Sequence, residues 1–279
     1  MRYIAVFIFL LSVLLFNNAY ADPPDRAIAL YNEGVELYLG EKYKKASKMF
    51  RDALNEDITY FRAYNNLGSA YIKDKRYNSA IIELKSALKV KESISAAYNL
   101  AIALYKKDQF SEAQKYIKDV INRDKYYKNV NLLLGTVSYN SSDYDQSIRF
   151  LDRYLERHAT SFDAAYVLSL AYYKKEEYQK AIKHTLQCID MASDDALLYY
   201  NLATSHLGLN EHDKALRNFN KALELDSGLS ESYYNIAVCY LNLKDYEKCR
   251  DNFKLYLATN PSAYERKEVE GYLEVLEGA

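Results

Sequence analysis

Four histidines and three cysteines are the side chains of this 279-residue chain best suited to hold a metal or act as nucleophiles, and their spacing suits neither task. His158, His184, His206 and His212 are scattered, with no H-E-x-x-H among them, so no metal site is expected. His206 and His212 fall on different helices at places where equivalent segments carry rings, which reads as packing. If they are buried neutral, acid should loosen that segment. Cys188, Cys239 and Cys249 are odd in number and form no C-x-x-C. Two readings of Cys239 and Cys249 stay open: a pair formed in an oxidising compartment, or small residues filling small places. The chain has no G-x-x-x-x-G-K-[ST], no G-x-G-x-x-G after a strand and no G-x-S-x-G. Phosphate cradles and nucleophile elbows therefore have no basis, and no catalytic residue, cofactor or enzyme activity is expected.

Tyrosine is the residue type whose number and spacing point to a chemistry, and that chemistry is non-covalent. There are 30 tyrosines and no tryptophan. A phenol ring offers apolar area and a hydroxyl with few torsions to freeze. Along the chain one row of places reads Tyr31, Asn65, Tyr98, Leu132, Tyr166, Tyr200 and Tyr234. A second, seven residues on and so on the same helical face, reads Tyr38, Ile72, Tyr105, Tyr139, Tyr173, Leu207 and Leu241.

The elements that position these rings are helices. In Phe61 to Ser93 the apolar residues Tyr64, Leu67 and Tyr71, and then Tyr77, Ala80, Ile81, Leu84, Ala87 and Leu88, recur three and four apart. Only Lys73-Asp74-Lys75-Arg76 lies between the two sets, so the helices are antiparallel neighbours. Gly68 facing Ala80 would let their axes approach to about 8 Å. The unit recurs: a small place reads Gly34, Gly68, Ala101, Gly135, Ser169, Ala203 and Ala237, at intervals of 33 or 34 residues. On the second helix a small place reads Ala46, Ala80, Ala113, Ser147, Ala181, Ala215 and Cys249. Three residues before each stands Tyr43, Tyr77, Phe110, Tyr144, Tyr178, His212 or Tyr246, and four after stands Phe50, Leu84, Ile117, Leu151, Thr185, Phe219 or Phe253. A fixed period of this length is the signature of a helical solenoid.

This register of small and large places resembles the tetratricopeptide repeat family over residues 27–263. The resemblance implies an all-α, right-handed solenoid of seven helix-turn-helix hairpins: 27–60, 61–93, 94–127, 128–161, 162–195, 196–229 and 230–263. Residues 22–26 lead in, and residues 264–279 form a capping helix. The departures are Thr185, polar where a large apolar residue is usual, and Tyr154 and Tyr256, bulky where the family prefers alanine. The two rings imply irregular stacking after the fourth repeat and near the cap. Ser262-Ala263-Tyr264-Glu265 reads as a capping box opening the last helix, and Glu270 and Glu274 give that helix a polar face.

In the family the inner surface, made of first helices, is where partners bind. The resemblance therefore implies that a protein or peptide segment is held by Tyr31, Tyr38, Tyr98, Tyr105, Tyr139, Tyr166, Tyr173, Tyr200 and Tyr234. The same rings can equally serve helix packing. The family's clamp for a C-terminal carboxylate is not expected, because its places hold Tyr31, Val35, Asn66, Ser95 and Asn99, of which only Asn66 fits. A glycan bound on the same rings, or an architectural role in an envelope assembly or secretion machine, are the alternatives.

Arg2 is followed by an uncharged apolar run from Tyr3 to Phe16 and then by Ala19-Tyr20-Ala21. That is a secretory signal layout ending at residue 21, so the chain is expected in an exported compartment, the periplasm or outside the cell, as a mature product that does not span a membrane. With 37 basic and 38 acidic residues interspersed, no nucleic-acid surface is expected. Oligomeric state is not encoded in these patterns.

Overall fold

A computed structural model describes residues 22–259 and 261–277; the expected signal segment lies outside the described residues. The described chain is helical, with no strand among its residues. In order it forms α1 (Asp25–Leu39), α2 (Tyr43–Glu56), α3 (Phe61–Lys73), α4 (Tyr77–Val90), α5 (Ile94–Tyr105), α6 (Phe110–Arg123), α7 (Val130–Asn140) and α8 (Tyr144–Leu155). There follow α9 (Phe162–Lys174), α10 (Tyr178–Met191), α11 (Ala196–Gly208), α12 (His212–Leu225), α13 (Glu231–Asn242), α14 (Tyr246–Ala258) and α15 (Ala263–Glu277). Each odd-numbered helix up to α13 opens a hairpin that the next helix closes, which makes the fold an all-α solenoid of helical hairpins.

Every hairpin turns in the same way, with no glycine at its left-handed position. Glu41, Lys75, Asp108, Ser142, Glu176, Asn210 and Lys244 stand in the left-handed region with φ between 57° and 62°. The residue after each sends its N–H back five residues, from Lys42 to the Leu37 carbonyl at 2.8 Å through to Asp245 and Tyr240 at 3.0 Å. This Schellman closure satisfies the last carbonyls of the first helix. It repeats because the turn is one backbone geometry copied seven times.

The chain divides into two compact units, one running to Leu133 and one beginning at Leu134, so the division falls inside α7. In the first unit successive hairpins pack through α2 on α3 and α4 on α5, and the first helices also meet directly, α1 with α3 and α3 with α5. Its core is Phe50, Leu67, Leu84, Leu100, Leu104 and Ile117 set among the alanines Ala46, Ala63, Ala80, Ala97 and Ala113. In the second unit α8 packs on α9, α10 on α11 and α12 on α13, and α11 meets α13. Its core holds Leu151, Leu168, Leu198, Phe219, Phe253 and Val269. In each unit, then, first helices lie beside one another and form an inner layer.

All the small places and all the places of the Phe50 series are buried, as the repeat pattern requires. Two details differ from the sequence reading. The backbone of Gly68 is covered by Leu84, not chiefly by Ala80: a Cβ on Gly68 would stand 2.4 Å from Leu84 Cγ. The aromatic series at Tyr43 sits at the hairpin tip and is only partly covered, with Tyr246 exposed. These residues begin the second helix at the hairpin tip, where Tyr178 packs on the bare backbone of Gly208 in the next hairpin.

Tyr154 and Tyr256 are accommodated as buried rings, Tyr154 stacked on His158 at 4.3 Å and Tyr256 edge-on to Tyr234 at 5.5 Å. Cys188, Cys239 and Cys249 are free and buried, which is the small-residue reading. The capping box forms: Ser262 N–H donates to Glu265 Oε2 at 3.0 Å, and Glu265 N–H donates to Ser262 Oγ at 3.4 Å. Among the described residues no helix is long and apolar enough to cross a membrane.

Candidate partner-binding surface

The inner layer of each unit carries the tyrosines singled out by spacing, and packing has already claimed part of each ring. In the first row, Tyr31, Tyr200 and Tyr234 lie against Phe50, Phe219 and Phe253 at centroid distances of 5.7, 5.6 and 5.7 Å. The relation is fixed by register, since the ring on the first helix and the phenylalanine on the second are always nineteen residues apart. In the second row, Tyr38, Tyr105, Tyr139 and Tyr173 lean on the tip aromatics Tyr43, Phe110, Tyr144 and Tyr178 at 5.4, 6.1, 5.8 and 5.7 Å. Eight of the nine candidates stay half-exposed, so one edge or face of each remains on the inner surface. Tyr98 is the exception, at 8% exposure, edge-on to Tyr127 with the Lys128 ammonium 5.3 Å from its ring.

In the first unit the inner surface is amide-rich. Asn66 Nδ2 donates to Tyr31 Oη at 2.9 Å, and Asn99 Nδ2 donates to Asn65 Oδ1 at 3.1 Å and to Ser69 Oγ at 2.9 Å. Asn65, Asn66, Ser69 and Asn99 line a cavity of about 250 Å³ with Tyr38, Lys128 and two further carboxylate-clamp places, Val35 and Ser95. Asn66, which alone fits the clamp, has given an amide proton to Tyr31, and Lys128 lies over rings. The asparagine cluster was not singled out from sequence. Its signal was the run of amides and hydroxyls at inner places of two consecutive repeats, Asn65, Asn66, Ser69 and Asn99.

In the second unit the structure brings three predicted tyrosines together. Tyr139, Tyr173 and Tyr200, from α7, α9 and α11, line one cavity of about 270 Å³ with the buried hydroxyl residues Ser169, Thr185 and Ser205. Burial raises the hydroxyl pKa of Tyr139 and of Tyr200 above the ordinary value, so both are neutral phenols over the physiological range. Tyr200 Oη accepts from Asn235 Nδ2 at 3.1 Å, which leaves its own proton available to a ligand. Tyr234 lies apart from this cavity. Its hydroxyl donates to Glu268 at 3.4 Å, and burial, reinforced by that carboxylate, pushes its pKa up to about 12. Tyr166 stacks on Phe162 at 6.0 Å and is also outside the cavity. Among the described residues no group of three or more His, Cys, Asp or Glu side chains is placed to hold a metal ion.

Four family models described as tetratricopeptide repeat match the chain, over residues 61–93, 132–196, 196–229 and 218–251. Among solved structures, the C-terminal part of a tetratricopeptide-repeat-containing protein from Cytophaga hutchinsonii is similar to 86% of this chain and 98% of its own, with a TM-score of 0.68 and 19% identity. YrrB, described as a tetratricopeptide repeat protein with an unusual peptide-binding site, is similar over 70% of this chain and 97% of its own, with a TM-score of 0.58 and 16% identity. At these identities the likeness is one of fold. An uncharacterized protein of Methanocaldococcus jannaschii is 28% identical over 129 residues, 42% of this chain, and the chain spans 56% of the length of that curated relative.

Proposed function

This chain belongs to the tetratricopeptide repeat family, and from that premise we propose that it is a non-catalytic scaffold that captures a segment of another protein on the inner layer of its hairpins. The observation that carries the reading is the convergence of Tyr139, Tyr173 and Tyr200, from three successive first helices, on one cavity. Each ring is already held by a neighbour, so little side-chain entropy remains to be lost on docking. A segment lying across those helices would meet ring area, a phenol proton on Tyr200 and hydroxyl acceptors in turn. YrrB, of the same fold, is described by its peptide-binding site, which supports the mode of binding without naming a partner.

Export is the second part of the proposal. The charged start, apolar run and Ala19-Tyr20-Ala21 would deliver the chain to the periplasm, or outside the cell, with Asp22 as its first residue. N-terminal sequencing of the protein from that compartment checks this, and an intact Met1 on the exported protein would contradict it. The binding reading is tested by crosslinking in the native cell followed by mass spectrometry. A protein attached at inner-layer residues supports it. Attachment confined to α2, α4 and the other second helices, or to a glycan, would overturn it.

A further inference from the structure

The fifth hairpin breaks the packing rule that the other six obey. Sixteen residues after the small place of the first helix, the second helix supplies Phe50, Leu84, Ile117, Leu151, Phe219 or Phe253, each fully buried. In the fifth hairpin the pair is Ser169 with Thr185, two hydroxyl residues at 2% and 1% exposure. The loss is visible in the rings as well. Where Tyr31, Tyr200 and Tyr234 each lean on a phenylalanine, Tyr166 finds Thr185 at that register and stacks along its own helix on Phe162 instead, with ring planes 7° apart. The volume a phenylalanine or leucine would have filled contributes to the cavity between Tyr139, Tyr173 and Tyr200.

The rim of that cavity has donors, among them the Tyr200 hydroxyl and Lys174, but the chemistry of its Ser/Thr hydroxyls is one-sided. Thr185 Oγ1 donates to the Ala181 carbonyl at 2.9 Å, Ser169 Oγ to Tyr166 at 2.7 Å, and Ser205 Oγ and Thr204 Oγ1 to Asn201 at 2.9 and 3.0 Å. Each hydroxyl has spent its single proton on its own helix and has only lone pairs left to offer. A group that passes between the rings to the buried Ser169, Thr185 and Ser205 must therefore bring the hydrogen-bond donor. Lys174 also lines the cavity, which opposes a cationic donor. What fits ring walls, acceptors and a nearby positive charge is a flat, neutral, apolar group with one O–H or N–H.

We propose that this cavity is an anchor pocket for a tyrosine or tryptophan side chain of the bound partner segment, which takes the place left empty by Thr185. The assignment rests on the inner-layer reading above and adds to it a residue class and a location. Phenylalanine would fill the space but leave the acceptors unpaired, so the pocket discriminates against it.

The test is a displayed library of short random peptides panned against the purified protein, with enriched peptides then measured against variants. Enriched peptides should share a tyrosine or tryptophan, and changing that residue to phenylalanine should weaken binding to the wild-type protein about tenfold or more. Thr185→Phe, which restores the arrangement of the next hairpin, should weaken the same peptides about tenfold or more while its melting temperature stays at or above wild type. Thr185→Ser should bind as wild type. If peptides are enriched but lack a shared tyrosine or tryptophan, tolerate phenylalanine, or bind a folded Thr185→Phe as tightly, the pocket assignment falls and the inner-layer reading stands. If no peptide is enriched, both fall. The phenylalanine exchange in the peptide decides the matter on the wild-type protein alone, whatever the folding of the variant.

Discussion

Leu84 rests on the bare backbone of Gly68, so closely that a Cβ on the glycine would stand 2.4 Å from Leu84 Cγ and 2.7 Å from one of its methyls. Gly34 under Phe50 and Gly135 under Leu151 repeat the relation at 2.7 and 2.5 Å. These contacts are side chain against backbone at full burial, where no neighbour can yield without moving a helix. Gly68→Ala is therefore expected to lower stability by about 1 to 3 kcal/mol through overpacking, despite the better helix propensity of alanine. Gly271 occupies the same register in α15 and an added Cβ there meets nothing within 4 Å. Gly271→Ala should raise stability by roughly 0.5 to 1 kcal/mol. Urea denaturation of the two variants side by side checks the contrast, and changes of the same sign would refute it.

The seven hairpin turns carry a strain that glycine would relieve. Lys75, at φ 58°, has an exposed side chain and holds a conformation that a Cβ disfavours by roughly 1 to 2 kcal/mol. Lys75→Gly should stabilise the fold, with the larger entropy of the unfolded glycine offsetting part of that gain. Lys75→Pro should destabilise it strongly, since φ is then held near −65°. A melting temperature that drops on Lys75→Gly would show that the lysine side chain contributes something the turn geometry does not reveal.

Acid sensitivity was expected in the sixth hairpin, at His206 and His212. The structure adds a site in the fifth hairpin, His184. His206 Nδ1 lies 2.6 Å from Glu211 Oε2. His184 instead is stacked on Tyr172 at 5.7 Å, and burial lowers its pKa below the ordinary 6.5, with Lys183 adding to the effect while Gln187 and Asp152 oppose it. A histidine whose folded pKa is depressed stabilises the fold in full above the ordinary value and loses that contribution as the pH falls from 6.5 toward the lower folded value. Asp152, raised above 3.8 chiefly by burial, works in the opposite sense at more acid pH, because its neutral form suits the fold. Stability should thus decline just below neutrality and flatten further down. His184→Phe, which keeps the stack on Tyr172, should abolish the decline in a series of denaturation curves between neutrality and mild acid.

Truncating the inner tyrosines should separate binding from packing. Tyr173→Ala removes a wall of the cavity and is expected to cost about 2 kcal/mol in affinity for the crosslinked partner with a small change in melting temperature. Tyr234→Ala strips a ring from between Phe253 and Tyr256 and should lower stability by roughly 1 to 3 kcal/mol while leaving affinity near wild type. Paired measurements of affinity and melting temperature on both variants are the check. A Tyr173→Ala protein that loses only stability would return that ring to a packing role.

Much of the fold was legible because the repeat states its own rules. A helical period within each segment and small places recurring every 33 or 34 residues leave one solution, stacked hairpins, since a single hairpin cannot bury its apolar stripe. The capping box was readable for the same reason, as a local motif whose partners are three residues apart. The turns were not, because their left-handed residues are Glu, Lys, Asp, Ser and Asn, and glycine, the usual sign, is absent from them. The candidate tyrosines could be placed on one face by spacing, but spacing treats Tyr98, Tyr173 and Tyr234 alike. How far each ring is covered depends on residues from the facing helix, another hairpin or a loop, such as Tyr256, Tyr200 and Tyr127, and that is a matter of packing in three dimensions. Thr185 stood out in the sequence as a polar residue at an apolar place. That its hydroxyl would turn back to Ala181, and that the space beside it would open between three tyrosines, was decided only when the helices packed.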